Sequence, residues 1–314
     1  MKGMLYTADH HVYELPPLLE WNVRHTGTVP CDSWSVTAVY RPEMAPVLKM
    51  AAGFAAVEDG QTQLRGIVDE YSVELDQNGL TVTLAGRGYA ARLLDNESRP
   101  VTYERVTLRE LLRRHAEPYG ITVGEAVELS SAAPYTAGAG SSQWKVISEF
   151  CRVYGGFLPR FSKTGELLAA PEQAGRQLVL DESSPIRSCR LREDHYGVIT
   201  EALVIDKRQN ISYSVQNPEM IRKGGQCRRV VYTPGKSTWA AMRYTGEYQI
   251  QQSRQDEKTV TVSLPGSFGA FPGDRAELRL SKLGLEGFFR VAEAENRFSA
   301  REGAVMTWTL KECE

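Results

Sequence analysis

Two distant stretches of the chain show the same alternation of apolar and polar positions around a glycine turn. The first is LRGIVDEYSVELDQNGLTVTLAGRG at residues 64–88, and the second is LEGFFRVAEAENRFSAREGAVMTWTLKE at residues 285–312. Apolar residues at every second position are typical of a strand with one buried face, and a glycine between two such runs permits the tight reversal of a hairpin. Each stretch therefore predicts a β-hairpin that opens with Leu-x-Gly.

The two predicted hairpins differ in their turns and in the regularity of their alternation. Gly66 and Gly79 are 13 residues apart, whereas Gly287 and Gly303 are 16 apart, so the second turn is predicted to be longer by three residues. The first turn is expected at the sequence DQNG that ends with Gly79, and Asp69 breaks the alternation before it. Alternation is poor in the first strand of the second hairpin. Since any two amphipathic hairpins share alternation, the pattern fits either a true internal repeat or ordinary β construction.

The middle of the chain has a different texture, with two amphipathic helices among short strands. The sequence TLRE is a capping box, in which a hydroxyl and a carboxylate satisfy the amides of a helix start, and leucines follow it at helical spacing. A polar loop, SSAAPYTAGAGSS, leads to a second helix, QWKVISEFCRVY, whose apolar face includes Trp144 and which Gly155 and Gly156 close. The hairpin FLPRFSKTGELLAAP comes next and is predicted to turn at Gly165.

These textures predict a mainly β (α+β) chain with two similar tube-type β-barrel domains and an embedded small α/β module. The first barrel is expected over residues 1–99 and the α/β module over 100–180. Linking strands that include ITEALVIDKRQ are expected over 181–230, and the second barrel over 231–314. At 314 residues the chain is long enough to divide into two or three domains.

Composition and charge argue against several classes of function. A net charge of −2 gives no basic surface for tight binding to a nucleic-acid backbone. No apolar run approaches the roughly 20 residues that span a bilayer, and the N-terminus lacks the apolar core of a signal peptide, so we expect no membrane insertion. The 5 cysteines form no CxxC pair and the 5 histidines form no HExxH, so we expect no metal and no cofactor.

Sequence motifs typical of enzymes are weak or absent. Gly86 and Gly88 form a GxG at a strand end, but a dinucleotide fingerprint needs a third glycine and a βαβ unit. No GxSxG and no P-loop occurs. Cys151 and His195 could suggest a thiol protease, yet Cys151 lies on the apolar face of a predicted helix. The acidic pair that begins at Glu193 consists of adjacent residues, which point in different directions, unlike glycosidase carboxylates. We therefore predict that the protein is not an enzyme.

The order of these parts resembles the baseplate hub proteins of contractile phage tails. A β region ending in GRGYAARLLDNE is followed by the capped helix, the polar loop, the segment SSQWKVISEFCRVYGGFLPRFSKTGELLAAP and a β region that opens with PGD. The family includes the Mu and T4 hubs and the late control protein D, and is similar to the N-terminal part of type VI secretion spike proteins. The pattern is most similar to the hub proteins of Gram-positive phages and phage-derived tail particles, and it extends over nearly the whole chain.

The resemblance implies a structural assembly protein, located in a virion or tail-like particle and assembled in the bacterial host cytoplasm. Family members carry two tube-like barrels per subunit and form homotrimers, in which six barrels make a pseudo-sixfold ring. By resemblance, this ring joins the hexameric tail tube to the trimeric central spike, with other baseplate or tape-measure components as further partners. In a phage, DNA would only pass through the lumen, and no cofactor is implied.

Seven residues are candidates for a structural role in assembly, because they mark the turns and close approaches of these motifs. They are Gly66, Gly79, Gly287, Gly303, Trp144, Gly155 and Gly156. Gly66→Val and Gly287→Val are each expected to impair assembly, since paired strands or a tight turn require a small residue at both positions.

A different class of function is a tail-tip module that binds cell-wall carbohydrate, or a tail-associated cell-wall hydrolase. In the first case Trp21, Trp34 and Trp239 would serve as exposed stacking platforms for sugars. Core packing is the ordinary role of a tryptophan, and the chain has no spare length for an added hydrolase domain. Titration with cell-wall fragments would separate the two classes, because a hub should not bind them.

Overall fold

The computed structural model of the chain describes residues 1–27, 31–77, 79–131, 134–173, 175–233, 238–255 and 257–313. Asn78 of the predicted DQNG turn and residues 132–133 of the predicted polar loop lie outside the described residues. Strands make up 48% of the described residues and helices 20%, and the strands form large antiparallel sheets. The mainly β fold class predicted from the alternation is therefore confirmed.

The first β unit, residues 2–94, buries an apolar core between its strands. Every second residue of its regular strands is buried, as the alternation predicts. Trp34 stacks on Phe54 at a ring-centroid distance of 3.8 Å, and Met44 and Leu48 pack into the same core. Its elements are β1 (Lys2–Thr7), β2 (Val12–Glu14), β3 (Leu18–Thr26), β4 (Ser33–Val39), a 3₁₀ turn (Pro42–Met44), α1 (Ala45–Met50), β5 (Ala51–Glu58), β6 (Gln61–Asp76), β7 (Gly79–Gly88) and α2 (Ala91–Leu94).

The middle module, residues 101–169, is a small α/β unit with a core of its own. Its elements are β8 (Val101–Tyr103), α3 (Leu108–His115), a 3₁₀ turn (Glu117–Tyr119), β9 (Val123–Ala126), β10 (Tyr135–Ala137), α4 (Gln143–Phe150), β11 (Arg160–Phe161) and β12 (Leu167–Ala169). Thr107 and Glu110 form the predicted capping box at the start of α3. The second predicted helix is not α-helical throughout, because after α4 the backbone widens into a π-helical turn, Cys151–Gly155, which inserts one residue before the end at Gly156.

The remaining chain forms a second β unit, which is interrupted by a side module. The elements are β13 (Gln177–Asp181), β14 (Ser188–Glu193), β15 (Glu201–Asp206), β16 (Ile211–Gln216), α5 (Pro218–Arg222), β17 (Arg228–Tyr232), α6 (Trp239–Arg254), β18 (Lys258–Pro265), β19 (Arg275–Leu280), a 3₁₀ turn (Ser281–Leu283), β20 (Leu285–Ser299) and β21 (Gly303–Glu312). The second β unit consists of β13, β14 and β18–β21, and Phe289 and Trp308 are the largest side chains of its core.

The side module, residues 201–254, lies where the sequence predicts linking strands and the start of the second barrel. β16, β15 and β17 form a separate sheet, and α6 packs on β15 and β16. Gly246 allows this close packing, since a Cβ at that position would overlap the side chain of Val215. β14, by contrast, is paired with β18 in the large sheet. The strands of the second β unit thus begin earlier in the chain than the sequence predicts, and they resume after α6.

One 13-stranded sheet runs through both β units. The order along it is β14-β18-β21-β20-β3-β4-β7-β6-β5-β1-β2, with β19 beside β20 and β13 beside β19. The two units are joined where β3 of the first pairs with β20 of the second. The junction between the two halves is therefore a continuous antiparallel ladder.

Candidate assembly surface

The two β units repeat the same arrangement of strands. The order β3-β4-β7-β6-β5-β1 in the first unit corresponds to β14-β18-β21-β20-β19-β13 in the second. Neighbouring strands are antiparallel in both series, except that β13 and β19 are parallel where β1 and β5 are antiparallel. The likeness of the two halves therefore extends well beyond the two hairpins that the sequence reveals.

A β-bulge near the middle of each long strand fixes how the two units align. In β6 the ladder shifts between Val68 and Glu70, and in β20 it shifts between Val291 and Glu293. A bulge inserts one residue that has no direct partner, so side chains on its two sides fall out of alternation. This explains why Asp69 breaks the pattern in the first hairpin and why alternation is poor in the second. Glu70 and Glu293 are equivalent positions.

The bulges show that the two Leu-x-Gly motifs are not equivalent, although the hairpins that contain them are. Gly66 lies three residues before its bulge residue and Gly287 lies five before. A Cβ at Gly66 would overlap the carbonyl oxygen of Arg87 on the neighbouring strand. Gly287 has φ of 132°, and a Cβ there would meet no atom within 4 Å. The first glycine is thus required by close packing and the second by its backbone conformation.

The other candidate residues lie in three separate places, which are the two hairpin turns and the middle module. Gly79 (φ 117°) and Gly303 (φ 71°) occupy the two hairpin turns in the left-handed region. Trp144 lies in the middle module, with its ring 5.9 Å from that of Phe161. Gly156 ends the π-helical turn with φ of 70°, and a Cβ on its neighbour Gly155 would lie 2.5 Å from the ring of Phe157. The structure therefore does not bring the seven residues together into one site.

The pairing of β3 with β20 makes a contact that we call the intrachain seam (residues 20–26 with 293–299). On its inner face Trp21 stacks on Phe298 at 6.2 Å and on Phe268 at 5.5 Å between ring centroids. On its outer face Arg24 forms a 2.5 Å ion pair with Glu293. The seam thus combines apolar packing on one side with a charge pair on the other.

Besides the end strands β2 and β13, two strand edges of the sheet, those of β14 and β6, have no partner strand within the described part of the chain. β14 is the last strand of the sheet and pairs with β18 alone. β6 pairs with β7 along its length, but its other edge is covered by β5 only as far as Ile67. Beyond the bulge, Tyr71, Val73 and Leu75 are 42%, 43% and 74% exposed. Uncovered edges with apolar side chains are sites where further strands pair.

Cys151 and three tryptophans are the residues considered above for catalysis or for carbohydrate binding. Burial raises the pKa of the Cys151 thiol to about 12, which leaves little thiolate for nucleophilic attack. Trp21 and Trp34 are core residues, whereas Trp239 is exposed on α6. Among the described residues, no group of His, Cys, Asp and Glu side chains could hold a metal ion, and no helix is long and apolar enough to cross a membrane.

The fold is shared with solved phage tail proteins. No protein-family model and no curated protein sequence matches the chain. A tail protein from Neisseria meningitidis superposes with a TM-score of 0.79 at 16% identity, covering 99% of this chain and 96% of the other. The 43 kDa tail protein of prophage MuSo2 from Shewanella oneidensis gives 0.78 at 14% identity, covering 99% and 97%. The chain has the fold of phage tail proteins.

A similar protein is also found in a secretion system. An Escherichia coli component of the type VI secretion system, itself structurally similar to the T4 tail proteins gp27 and gp5, gives a TM-score of 0.55 at 11% identity. The match covers 95% of this chain and 74% of that one. The resemblance to tail hub proteins that the order of motifs predicts is therefore confirmed at the level of the fold.

Proposed function

We propose that the protein is the baseplate hub of a contractile tail or tail-like particle, a ring of three copies that joins a hexameric tail tube to a trimeric central spike. The observation that supports this is the repeat of one six-stranded arrangement within a single chain. Three copies present six similar β units, which suit a sixfold tube end, and a closed ring needs only such repeated contacts. The protein then acts through its surfaces alone, without catalysis.

The parts of the chain that occur only once match the threefold symmetry of the spike. The middle module and the side module each occur once per copy. In a ring of three copies they would occur three times, which is the symmetry of a trimeric spike. The sixfold partner is thus expected on the face formed by the β units alone, and the threefold partner on a face that includes at least one module. Other baseplate or tape-measure components would contact the remaining surface, and the DNA of a phage would pass through the lumen.

Co-purification with the tube and spike proteins of the same particle tests this function. We expect a complex with three copies of this chain, measured by native mass spectrometry, and a ring between tube and spike in electron micrographs. A complex with another copy number, or no binding to either partner, would contradict the proposal. Titration with cell-wall fragments is the parallel control, because a carbohydrate-binding tail-tip module would bind them and a hub would not.

A further inference from the structure

We infer that copies of this chain are joined by a second seam, in which β14 of one copy pairs antiparallel with residues 70–75 of β6 in the next copy. This intercopy seam repeats between chains the contact that β3 and β20 make within one chain. The inference deepens the proposed function and rests on it, because it takes the partner to be a second copy in a closed ring. It follows from the internal repeat, in which β3 corresponds to β14 and β20 corresponds to β6.

The repeat fixes the register of this seam on the β6 side through the bulges. Glu70 follows the bulge of β6 as Glu293 follows the bulge of β20. Tyr71 is therefore equivalent to Ala294, and the residues after it correspond in order up to Leu75. In the intrachain seam Ala294 lies opposite His25, and each later residue of β20 lies opposite an earlier residue of β3.

The ladders fix the register on the β14 side. Tyr71 lies opposite Leu84, which lies opposite Val36, and Val36 lies opposite Trp21. In the second unit Ala294 lies opposite Trp308, Trp308 lies opposite Val262, and Val262 lies opposite Cys189 on the last strand. Cys189 is therefore equivalent to Trp21, and the residues that follow correspond one by one. This places Leu75 opposite Cys189, Glu74 opposite Arg190 and Val73 opposite Leu191 of the next copy.

Most of these pairs are complementary. On the inner face Leu75 lies opposite Cys189 and Val73 opposite Leu191, whereas Tyr71 lies opposite Glu193. On the outer face, Arg192 and Glu70 occupy the positions of Arg24 and Glu293, whose ion pair crosses the intrachain seam at 2.5 Å. Arg192 pairs with Asp194 within one copy, and in the seam it would lie between two carboxylates.

Burial points to the same missing partner strand. In the intrachain seam Ala294 and Asn296 are 0% and 1% exposed. The equivalent residues of β6, Tyr71 and Val73, are almost half exposed in the single chain. Two unlike edges, one with arginines and one with glutamates, favour head-to-tail contact over pairing of identical edges, and head-to-tail contacts form a ring when the rotation between copies closes.

A disulfide trap tests the register. Leu75→Cys places a thiol opposite the native Cys189 of the next copy, and opposed residues of an antiparallel pair have the Cα separation that a disulfide needs. Leu75 is the most exposed of these side chains, so the variant is expected to fold. We expect covalent oligomers up to the closed ring on non-reducing gels, both for the chain alone at high concentration and for the chain assembled with tube and spike.

Two control variants make the trap specific. Leu75→Cys combined with Cys189→Ser should give no covalent oligomers. Leu80→Cys should give few, because Leu80 lies beside Leu75 on the same face but one strand further from the edge. A disulfide between two introduced thiols, or one to a different native cysteine, would overturn the seam.

A charge exchange provides an independent readout. Arg190→Glu should weaken self-association at least tenfold, and Arg190→Glu with Glu74→Arg should restore it.

The seam and the hub function fail in different ways. If the chain binds tube and spike but no link to Cys189 forms in that complex, the seam is wrong and the hub stands. If the linked ring forms but binds neither partner, the seam stands and the hub is wrong. A chain that remains single and unlinked under all these conditions overturns the seam.

Discussion

The packing around Gly66 predicts that a single added methyl group destabilises the first β unit strongly. At this point β6 lies between β5 and β7, with Gly66 opposite Phe54 and Gly88. A Cβ at Gly66 would overlap the carbonyl oxygen of Arg87 and lie 2.9 Å from its carbonyl carbon. These are backbone atoms of a paired strand, which cannot rotate away as a flexible side chain can. We therefore expect Gly66→Ala to lower the free energy of unfolding by about 3 kcal/mol.

Gly53→Ala is the matched control, because Gly53 lies on the adjacent strand opposite Ile67. A Cβ there would meet its nearest neighbour, the Cβ of Tyr6, at 3.4 Å, which is an ordinary contact. We expect its free energy of unfolding to change by less than about 1 kcal/mol. Equilibrium unfolding in urea, with linear extrapolation, measures both variants. If Gly66→Ala is as stable as this control, β6 and β7 do not approach each other this closely at Gly66.

Three further predictions concern the intrachain seam, a buried histidine and the second Leu-x-Gly motif. Trp21→Ala should lower the free energy of unfolding by about 3–5 kcal/mol, measured in urea, because it removes the ring that stacks on Phe298 across the seam. Burial lowers the pKa of His115, partly offset by its hydrogen bond with Gln143, so the unfolded state binds more protons below about pH 6.5. Stability should therefore fall between pH 7.5 and 5.5, and His115→Gln should reduce this fall; equal pH dependence in both proteins would refute it. Gly287→Ala should cost about 1–3 kcal/mol in the same unfolding assay, because its φ of 132° is a backbone conformation that side chains disfavour.

Local features of the fold were predictable because they depend on neighbours in sequence. The capping box at Thr107, the turn at Gly165 and the alternation of β7 all occur as the sequence indicates. The bulges are also visible in the sequence, but only as a break in alternation. Asp69 marks one of them, and its acidic side chain is held by Arg87 at 2.8 Å.

Non-local pairing could not be predicted, because alternation shows which face of a strand is buried but not which strand lies beside it. β13 pairs with β19, and β14 with β18, across the whole side module. The sequence does not indicate α6, for a related reason. Its apolar residues do not follow one helical stripe, since Trp239, Tyr244 and Tyr248 are all exposed. The candidate site is therefore a property of strand order, of which the sequence shows only the two hairpins.

The intrachain and intercopy seams share a geometry, but they differ in the free energy available to form them. The intrachain seam buries the aromatic stack around Trp21 and joins units that one chain already holds together. The intercopy seam would bury Tyr71, Val73, Leu75 and Leu191, each contributing about 1.5–3 kcal/mol at most. Association of separate chains costs about 4–15 kcal/mol. One intercopy contact is therefore nearly balanced, whereas the contact that closes a ring loses no further translational freedom. Ring formation should consequently be cooperative, and a tube end or spike that aligns the copies should strongly favour it.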